Sequence, residues 1–211
     1  MSDLFARDGA EQLDLPGGEL LIYRAPDLGA SSDALFDELQ REIEWRQEPI
    51  QLFGKRYLQP RLLAWYGDTG VSYRYSGIHH EPLAWTPGLA ALRERIQELS
   101  GACFNSVLAN QYRDHRDSMG LHADDEPELG SQPVIASLSL GEERVFRLKH
   151  RHRNDIKALR VPLSCGTLLI MRGDTQENWR HEVAKQARPC GPRINLTFRY
   201  VHSSLAPKTD G

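Results

Sequence analysis

Two histidines and one aspartate have the types and spacing of metal ligands. His122 and Asp124 are separated by a single residue, and in an extended segment the side chains of residues i and i+2 point to the same face. A third ligand has to come from elsewhere in the chain, and His181 is a candidate. Two histidines and one carboxylate on one face of a metal ion leave coordination positions open, an arrangement that suits non-haem Fe(II) oxygen chemistry.

The spacing of a histidine two residues before an acid is by itself a weak signal. The chain has eight histidines, and three pairs match this spacing: His79/Glu81, His115/Asp117 and His122/Asp124. A solvated surface pair is the ordinary explanation of any one match, so at least two of the three are coincidental. The third pair is distinguished by a second feature further along the chain.

That second feature is the strict alternation of polar and apolar residues at positions 193–199. In a strand, one face would carry Ile194, Leu196 and Phe198, and the other would carry Arg193, Asn195, Thr197 and Arg199. The polar face could simply be solvated. Two arginines, an amide and a hydroxyl also suit a dicarboxylate, because arginine forms bidentate pairs with carboxylates. A metal triad beside a dicarboxylate site is the pattern expected of a 2-oxoglutarate-dependent oxygenase.

Together these elements resemble the AlkB family of Fe(II)/2-oxoglutarate-dependent nucleic-acid dealkylases. The family has the same elements in the same order: Asn110-Gln111-Tyr112, His122-Ala123-Asp124-Asp125-Glu126, His181 and Arg193-x-Asn195-x-Thr197-x-Arg199. The resemblance extends back through Leu52-Phe53-Gly54-Lys55, Pro60-Arg61, Tyr66-Gly67-Asp68 and Tyr73-Arg74-Tyr75-Ser76-Gly77. It covers about residues 45–202 and is greatest for the homologues that repair duplex DNA. Counted forward from Tyr112, the ligand histidine of the family falls on His122 and not on His115.

The resemblance implies which cofactors are bound and by which residues. Fe(II) would be held by His122, Asp124 and His181, with O₂ and 2-oxoglutarate as co-substrates. Arg193 is the first choice for the 2-oxoglutarate carboxylate farther from the metal, and Arg199 would lie nearer the metal; which arginine holds which carboxylate stays open. Further hydrogen bonds to 2-oxoglutarate would come from Asn110, Tyr112, Asn195 and Thr197.

The implied reaction is oxidative dealkylation of bases in DNA, such as 1-methyladenine and 3-methylcytosine, with release of succinate, CO₂ and formaldehyde. Tyr73 and Tyr75 would stack on the cationic base, while Asp125 and, more strongly, Glu126 would accept hydrogen bonds from its exocyclic amine. Arg61 would help to close the pocket. Phe53 would be the apolar wedge that enters the base stack when the base is flipped out.

Ordinary explanations stay open for each of these substrate residues. The two tyrosines could pack across a sheet, the acidic residues could form a solvated loop, and Phe53 could belong to the core. Phosphates would be met by a basic segment, residues 144–160, in which seven cations face a single acid, Asp155. Its predicted loop carries the expected phosphate contacts Lys149, Arg151 and Arg153. A solvated hairpin tip is the alternative there.

Other functions on the same scaffold remain open. An RNA demethylase would use the same chemistry, but single-stranded RNA needs no wedge such as Phe53. A nucleic-acid-binding module without catalysis is disfavoured by the intact metal and arginine set. A hydroxylase of small molecules or proteins would be expected to lack both the basic segment and the wedge.

The elements that must position these residues can be read from periodicity. Helices are predicted at residues 32–45 and 87–99, capped by one of Ser31, Ser32 and Asp33 and by Thr86. Strands are predicted at residues 104–112, 133–140, 144–148, 158–163, 167–171 and 194–201. The expected fold class is α+β and mostly β, a double-stranded β-helix (jelly-roll) core with flanking N-terminal helices. One domain at residues 20–202 is expected between loosely ordered ends, residues 1–19 and 203–211.

Composition bounds the rest of the interpretation. A chain of 211 residues with 40% hydrophobic and 26% charged residues is ordinary for one globular domain. The net charge of −3 disfavours a strongly basic nucleic-acid binder, so a nucleic acid would have to be met by a local patch. Three scattered cysteines and the lack of an apolar run or signal peptide favour an intracellular protein, cytoplasmic in a bacterium or nuclear in a eukaryote, with no membrane partner. A monomer is expected.

Overall fold

The computed structural model describes residues 9–52, 54–75 and 78–202. Along these residues the chain forms, in order, β1 (Ala10–Leu15), β2 (Gly18–Tyr23), α1 (Ser32–Glu42), β3 (Pro49–Leu52), β4 (Lys55–Leu58), β5 (Leu62–Gly67), β6 (Tyr73–Tyr75), β7 (Ile78–His80), α2 (Pro87–Ser100), β8 (Ser106–Tyr112), β9 (Met119–His122), a 3-10 turn (Pro127–Leu129), β10 (Ile135–Gly141), β11 (Arg144–His150), β12 (Leu159–Leu163), β13 (Thr167–Arg172), α3 (Thr175–Asn178), β14 (Trp179–Val183) and β15 (Arg193–Arg199).

Two antiparallel sheets make up the core. The larger has the strand order β1-β2-β13-β10-β15-β8-β5, and the smaller has the order β12-β11-β14-β9. The strands β3 and β4 form a separate hairpin, as do β6 and β7. Strands distant in sequence are neighbours in both sheets, which is the connectivity of a jelly roll and confirms the predicted fold class.

The large sheet is buried on both faces because each face packs against a different layer. Apolar residues on one face pack against α1 and α2, as Leu21 and Leu196 do in a cluster with Leu39 and Leu92. The alternate residues face the small sheet, where Ile22 and Met171 belong to a cluster with residues of β11 and β14. Since side chains alternate along a strand, central strands such as β13 are apolar on both sides.

Both predicted helices are present, with small changes at their ends. Ser31 caps α1 by accepting a hydrogen bond from the Ala34 amide, and Thr86 caps α2 in the same way. The helix α1 ends at Glu42 rather than at residue 45 because Ile43 already has an extended backbone. At the end of α2, Gly101 adopts φ +68°, a left-handed conformation that glycine tolerates best.

The expected loose N-terminal segment is wrong for residues 10–19. These residues form β1 and the start of β2, with Ala10 opposite Tyr23 and Leu15 opposite Gly18. The polar sequence of β1 is compatible with a strand because β1 lies at the edge of the large sheet, where Glu11, Gln12 and Asp14 are exposed. Residues 1–8 and the predicted tail at 203–211 lie outside the described residues.

Sequence periodicity missed several short strands. Six predicted strands correspond to β8, β10, β11, β12, β13 and β15 with shifts of one or two residues at most ends. The strands β1, β2, β5, β9 and β14, and the four strands of the two small hairpins, were not predicted as strands. Each is only three to six residues long, too short for a clear alternation. In the described part of the chain, no helix is long and apolar enough to cross a membrane.

Candidate active site

The metal triad is assembled by two neighbouring strands of the small sheet. His122 ends β9, and its direct partner across the ladder is His181 in β14. Asp124 follows β9 by two residues, so that one potential ligand atom from each of the three side chains lies within 4.8 Å of the others. The rings of His122 and His181 are 4.3 Å apart. The structure therefore brings together the three residues predicted from spacing and resemblance.

Hydrogen bonds orient two of these side chains. The Nδ1 atom of His122 lies 2.8 Å from the Gly120 carbonyl oxygen; because a carbonyl only accepts, Nδ1 is the donor and Nε2 is left as the ligand atom. Asp124 is buried, and its Oδ1 accepts a hydrogen bond from Arg199 Nη2 at 2.7 Å. The backbone amide of Asp124 donates to Gln176 Oε1 at 2.9 Å, which fixes the position of the loop that carries the carboxylate.

The electrostatics of the triad favour metal binding. Burial lowers the pKa of His181 to about 3, with a further lowering by His122 that outweighs the opposite effect of Asp124. Burial raises the pKa of Asp124, but Arg199, followed by His181 and His122, lowers it by more, so its pKa lies below the ordinary value. At neutral pH, His181 is therefore neutral and Asp124 is ionised, which are the states that ligate a cation.

The donor set fits an Fe(II) ion. Among the described residues, buried Asp124 Oδ2 and His181 Nδ1 have no hydrogen-bond partner, and buried polar atoms in native proteins are seldom left unpaired. Two imidazoles and one carboxylate are the facial donor set of non-haem iron sites. His122, Asp124 and His181 would hold the metal, and a donor set of three leaves it able to take other ligands.

Five of the six predicted 2-oxoglutarate residues, all except Arg193, line a narrow cavity between the two sheets. The strands β8 and β15 are paired so that Asn195 lies opposite Asn110 and Arg193 opposite Tyr112. The polar face of β15 is thus buried rather than solvated, and Arg193 has no exposed surface. The cavity reaches from the triad to this face, with lining residues that include Asn110, Tyr112, Asn195, Thr197 and Arg199.

Arg193 and Arg199 lie in different surroundings. The Nη2 atom of Arg193 donates to Ser139 Oγ and Asn195 Oδ1, both at 2.8 Å, and its guanidinium carbon is 5.0 Å from the centre of the Tyr112 ring. Its Nε and Nη1 atoms have no hydrogen-bond partner among the described residues. A buried cation with free donors calls for an anion, whereas Arg199 already pairs with the metal ligand Asp124.

A second, larger cavity of about 370 Å³ is also lined by His122 and Asp124. We call it the substrate cavity. Four glutamates and two arginines besides Arg199 contribute to its wall: Glu44, Glu48, Glu81, Glu126, Arg46 and Arg61. The negative excess favours a cation, and the volume is in the range of small-molecule sites.

The structure separates the predicted substrate residues into two groups. Glu126 lines the substrate cavity, and its buried Oε2 has no hydrogen-bond partner among the described residues. Arg61 also lines it and donates from Nε to Asn110 Oδ1 at 2.7 Å, which connects the two cavities. Asp125 differs from the prediction, because its carboxylate is directed to Arg151 at 2.6 Å. Phe53 lies outside the described residues, as do the side chains of Tyr73 and Tyr75, of which only the β6 backbone is described.

The basic segment is less available to phosphates than its sequence indicated. Arg144 is buried and donates to three backbone carbonyls, those of Asp114, Asp117 and Ala184, so its place in the phosphate-binding surface was wrong. The reason is its position at the first residue of β11, where it points under the loop between β8 and β9. Exposed cations do remain there: Lys149, Lys157 and Arg160.

The other arginines of the segment pair with acids of the same chain. Arg147 lies 2.6 Å from Glu182, and Arg153 lies 2.6 Å from Asp155.

Two residues of the site, Gln176 and Ser139, were not predicted from the sequence. Both are buried and bond to predicted residues, but neither belongs to a motif, so no pattern in the sequence indicated them.

Comparison with known proteins agrees with this geometry. Residues 28–199 match the 2OG-Fe(II) oxygenase superfamily, and the solved structure of OsALKBH1 has the same fold, with a TM-score of 0.62 at 18% identity over 90% of this chain and 100% of that chain. The fold, the match and the His-Asp-His triad place the chain in the class of 2OG-Fe(II) oxygenases.

Two relatives narrow the assignment within that class. Alpha-ketoglutarate-dependent dioxygenase alkB homolog 3 of Bos taurus is 43% identical over 179 residues, which are 81% of this chain and 62% of the relative. DNA oxidative demethylase ALKBH2 of Mus musculus is 39% identical over 181 residues, 82% of this chain and 76% of the relative. The chain belongs to the AlkB family. It spans about three-fifths of the length of the Bos taurus relative.

Proposed function

We propose that the protein is an oxidative demethylase that repairs N-alkylated bases in DNA, with duplex DNA as its main substrate. The observation that carries this proposal is the acidic substrate cavity beside the triad. A base alkylated at a ring nitrogen, such as 1-methyladenine or 3-methylcytosine, is cationic near neutral pH, whereas the undamaged base is neutral. An acidic wall favours the cationic base over the neutral one.

Glu126 is the residue that would recognise the base. Its buried Oε2 needs a donor, and the exocyclic amine of adenine or cytosine is one. Since Glu126 lies two residues after the ligand Asp124 and in the same cavity as His122, a base bound to it would lie beside the triad. Arg61 would close the side of the cavity next to Asn110.

The residues on β8 and β15 would orient the co-substrate. Bound Fe(II), together with 2-oxoglutarate and O₂, would supply the oxidation of the N-alkyl carbon, after which formaldehyde leaves and succinate and CO₂ are the co-products. Arg193 would neutralise the far carboxylate of 2-oxoglutarate, with Tyr112 beside it. Asn110, Asn195 and Thr197 would donate or accept hydrogen bonds along the cavity, and Arg199 would keep Asp124 ionised and in place.

The preference for duplex DNA is supported by the hairpin formed by β3 and β4. All residues of β4 are exposed, with Lys55 and Arg56 at the start of the strand and Tyr57 and Leu58 exposed by 51% and 63%. Exposed apolar side chains beside cations suit insertion into a base stack next to phosphates. Phe53, the wedge predicted from the sequence, lies between these two strands in the sequence. The relative that is named a DNA oxidative demethylase supports the same substrate class. An intracellular location remains a prediction.

One experiment tests the proposal directly. The protein is incubated with Fe(II), 2-oxoglutarate and oligonucleotides that carry one 1-methyladenine, as duplex DNA, single-stranded DNA and RNA, and each product is weighed by mass spectrometry. We expect loss of one CH₂ from DNA, fastest for the duplex, and none with His122→Ala. Faster loss from RNA would establish an RNA demethylase instead. Succinate formation without a mass change in any oligonucleotide would contradict the substrate.

A further inference from the structure

Arg151 connects the basic segment to the loop that carries a metal ligand. Its Nη1 atom donates to Asp125 Oδ2 at 2.6 Å and to the Gln176 carbonyl oxygen at 3.1 Å. Its backbone amide donates to the Asn178 carbonyl oxygen at 2.7 Å. One guanidinium therefore bridges the segment after β9 and the short helix α3. We call Arg151, Asp125 and Gln176 the ligand-loop clamp.

The other two members of the clamp lead directly to the metal ligands. Asp125 is the next residue after Asp124. Gln176 is buried, and its Oε1 accepts the hydrogen bond from the Asp124 amide, while its Nε2 is directed to Met171 Sδ at 3.3 Å. The helix α3, which contains Gln176, runs straight into β14, the strand of His181. The clamp is therefore connected to the backbone of Asp124 and, through α3, to the strand that carries His181.

Arg153 offers an internal comparison within the same loop. It is two residues away, it is an arginine, and it also forms an ion pair at 2.6 Å, but its partner Asp155 belongs to the loop itself. The side chain of Arg151 is 23% exposed and that of Arg153 is 56% exposed. A phosphate that took Arg151 would have to displace Asp125 and a backbone carbonyl, whereas Arg153 could turn to a phosphate with only the loop affected.

We propose that Arg151 is a positioning residue for the metal ligands rather than a phosphate ligand, and that it acts through Asp125 and Gln176. The guanidinium holds the ligand loop against α3, so that Asp124 and His181 keep the separation that a metal ion needs. Outer partners of this kind typically change metal affinity even though they do not touch the metal. The inference deepens the proposed function, since it removes one residue from the expected DNA surface and adds it to the metal site.

The test compares Arg151→Met with Arg153→Met in two measurements that need no turnover. The first is Co²⁺ affinity, followed by the visible absorption of the bound ion. The second is the salt dependence of binding to a DNA duplex without metal or 2-oxoglutarate. For Arg151→Met we expect Co²⁺ affinity to fall by about tenfold, the low end for outer partners of a metal ligand, with an unchanged salt slope. For Arg153→Met we expect unchanged Co²⁺ affinity and a salt slope smaller by about one.

Two controls separate positioning from general stability. The thermal midpoint of Arg151→Met should stay near that of the parent, because partly exposed ion pairs contribute little to stability. Asp125→Asn keeps the shape of the partner and removes its charge, so it should lower Co²⁺ affinity in the same direction. The double variant should lose less than the sum of the two single losses, since both remove one interaction. If Arg151→Met does not fold, the Co²⁺ affinity of Asp125→Asn tests the proposal in its place.

The outcomes are decisive in either direction. A smaller salt slope for Arg151→Met would return the residue to the phosphate-binding surface and overturn the proposal, and so would unchanged Co²⁺ affinity. If the parent protein binds no DNA, the proposed function fails, but the Co²⁺ comparison still tests the clamp on its own.

Discussion

The polar face of β15 and the basic segment both contain several arginines, yet the structure uses them in opposite ways. Arg193 is fully buried between two sheets, and its described partners are the neutral side chains of Ser139 and Asn195. Arg147 and Arg153 are at least 40% exposed and pair with acids of their own chain. A buried arginine without its own carboxylate is built for an anionic ligand, whereas an exposed pair can exchange its acid for a phosphate at small cost.

The largest effect should follow from changing the metal triad, which lies next to the buried polar face of β15. Asp124→Ala removes the ionised ligand together with its ion pair to Arg199. Succinate formation should fall by more than about 100-fold, since even outer partners of metal ligands are worth 10–100-fold. The measurement is succinate release under saturating 2-oxoglutarate. A variant that keeps more than a tenth of the parent rate would contradict the assignment of Asp124 as a ligand.

Arg193→Met tests whether the buried arginine holds the co-substrate. Hydrogen bonds to a charged group contribute about 1.5–3 kcal/mol, so the KM for 2-oxoglutarate should rise by about 10–100-fold while the affinity for DNA does not change. The matched control is Arg95→Met, the same substitution on α2, where Arg95 pairs with Glu98 and Asp27. An unchanged KM in Arg193→Met would show that the far carboxylate is bound elsewhere, with Arg199 as the next candidate.

Arg144 and Lys149 sharpen the comparison inside the basic segment. Arg144→Met removes the hydrogen bonds that Arg144 donates to three backbone carbonyls and should lower the free energy of unfolding by about 2–4 kcal/mol. Lys149→Met changes an exposed residue of the same strand and should stay within about 0.5 kcal/mol. Urea unfolding of both variants gives the two values. Equal losses would mean that burial does not distinguish these two cations.

The smallest expected effect is that of changing Lys149, an exposed cation of the basic segment. Lys149→Gln should weaken DNA binding by only a few-fold, and the slope of log affinity against log salt should become smaller by about one, which is the signature of one lost phosphate contact. Binding is measured by fluorescence anisotropy over a series of salt concentrations. If the slope does not change, the DNA strand does not cross this end of β11.

Those features of the candidate site that depend only on local backbone geometry could be predicted from the sequence. The alternation of residues 193–199 correctly placed two arginines, an amide and a hydroxyl on one strand face, because side chains in any strand alternate. The spacing of His122 and Asp124 was useful only with the resemblance, which favoured it over His115/Asp117. In the structure, Asp117 instead bonds to Arg113, as a coincidental match would.

The errors arose where a side chain's partner is distant in the sequence. Arg144 was assigned to a phosphate surface because the chain around it is basic, and nothing local shows that the loop between β8 and β9 covers it. Asp125 was expected to face the base, but Arg151 lies 26 residues away along the chain and draws its carboxylate outward. The strands β9 and β14 are short, and their pairing exists only in the folded sheet.

The sequence by itself therefore determined the residue types of the site, the periodicity of the long strands and helices, and the family resemblance. These features depend on local backbone geometry and on the order of motifs along the chain, and both can be seen in the sequence. Only the tertiary structure decided which cations are buried, which acids neutralise them, and which of the residues after His122 face the substrate cavity. Those outcomes depend on contacts between distant strands, since burial, and with it the strength of every charge interaction, is a property of the packed sheets and not of any one segment.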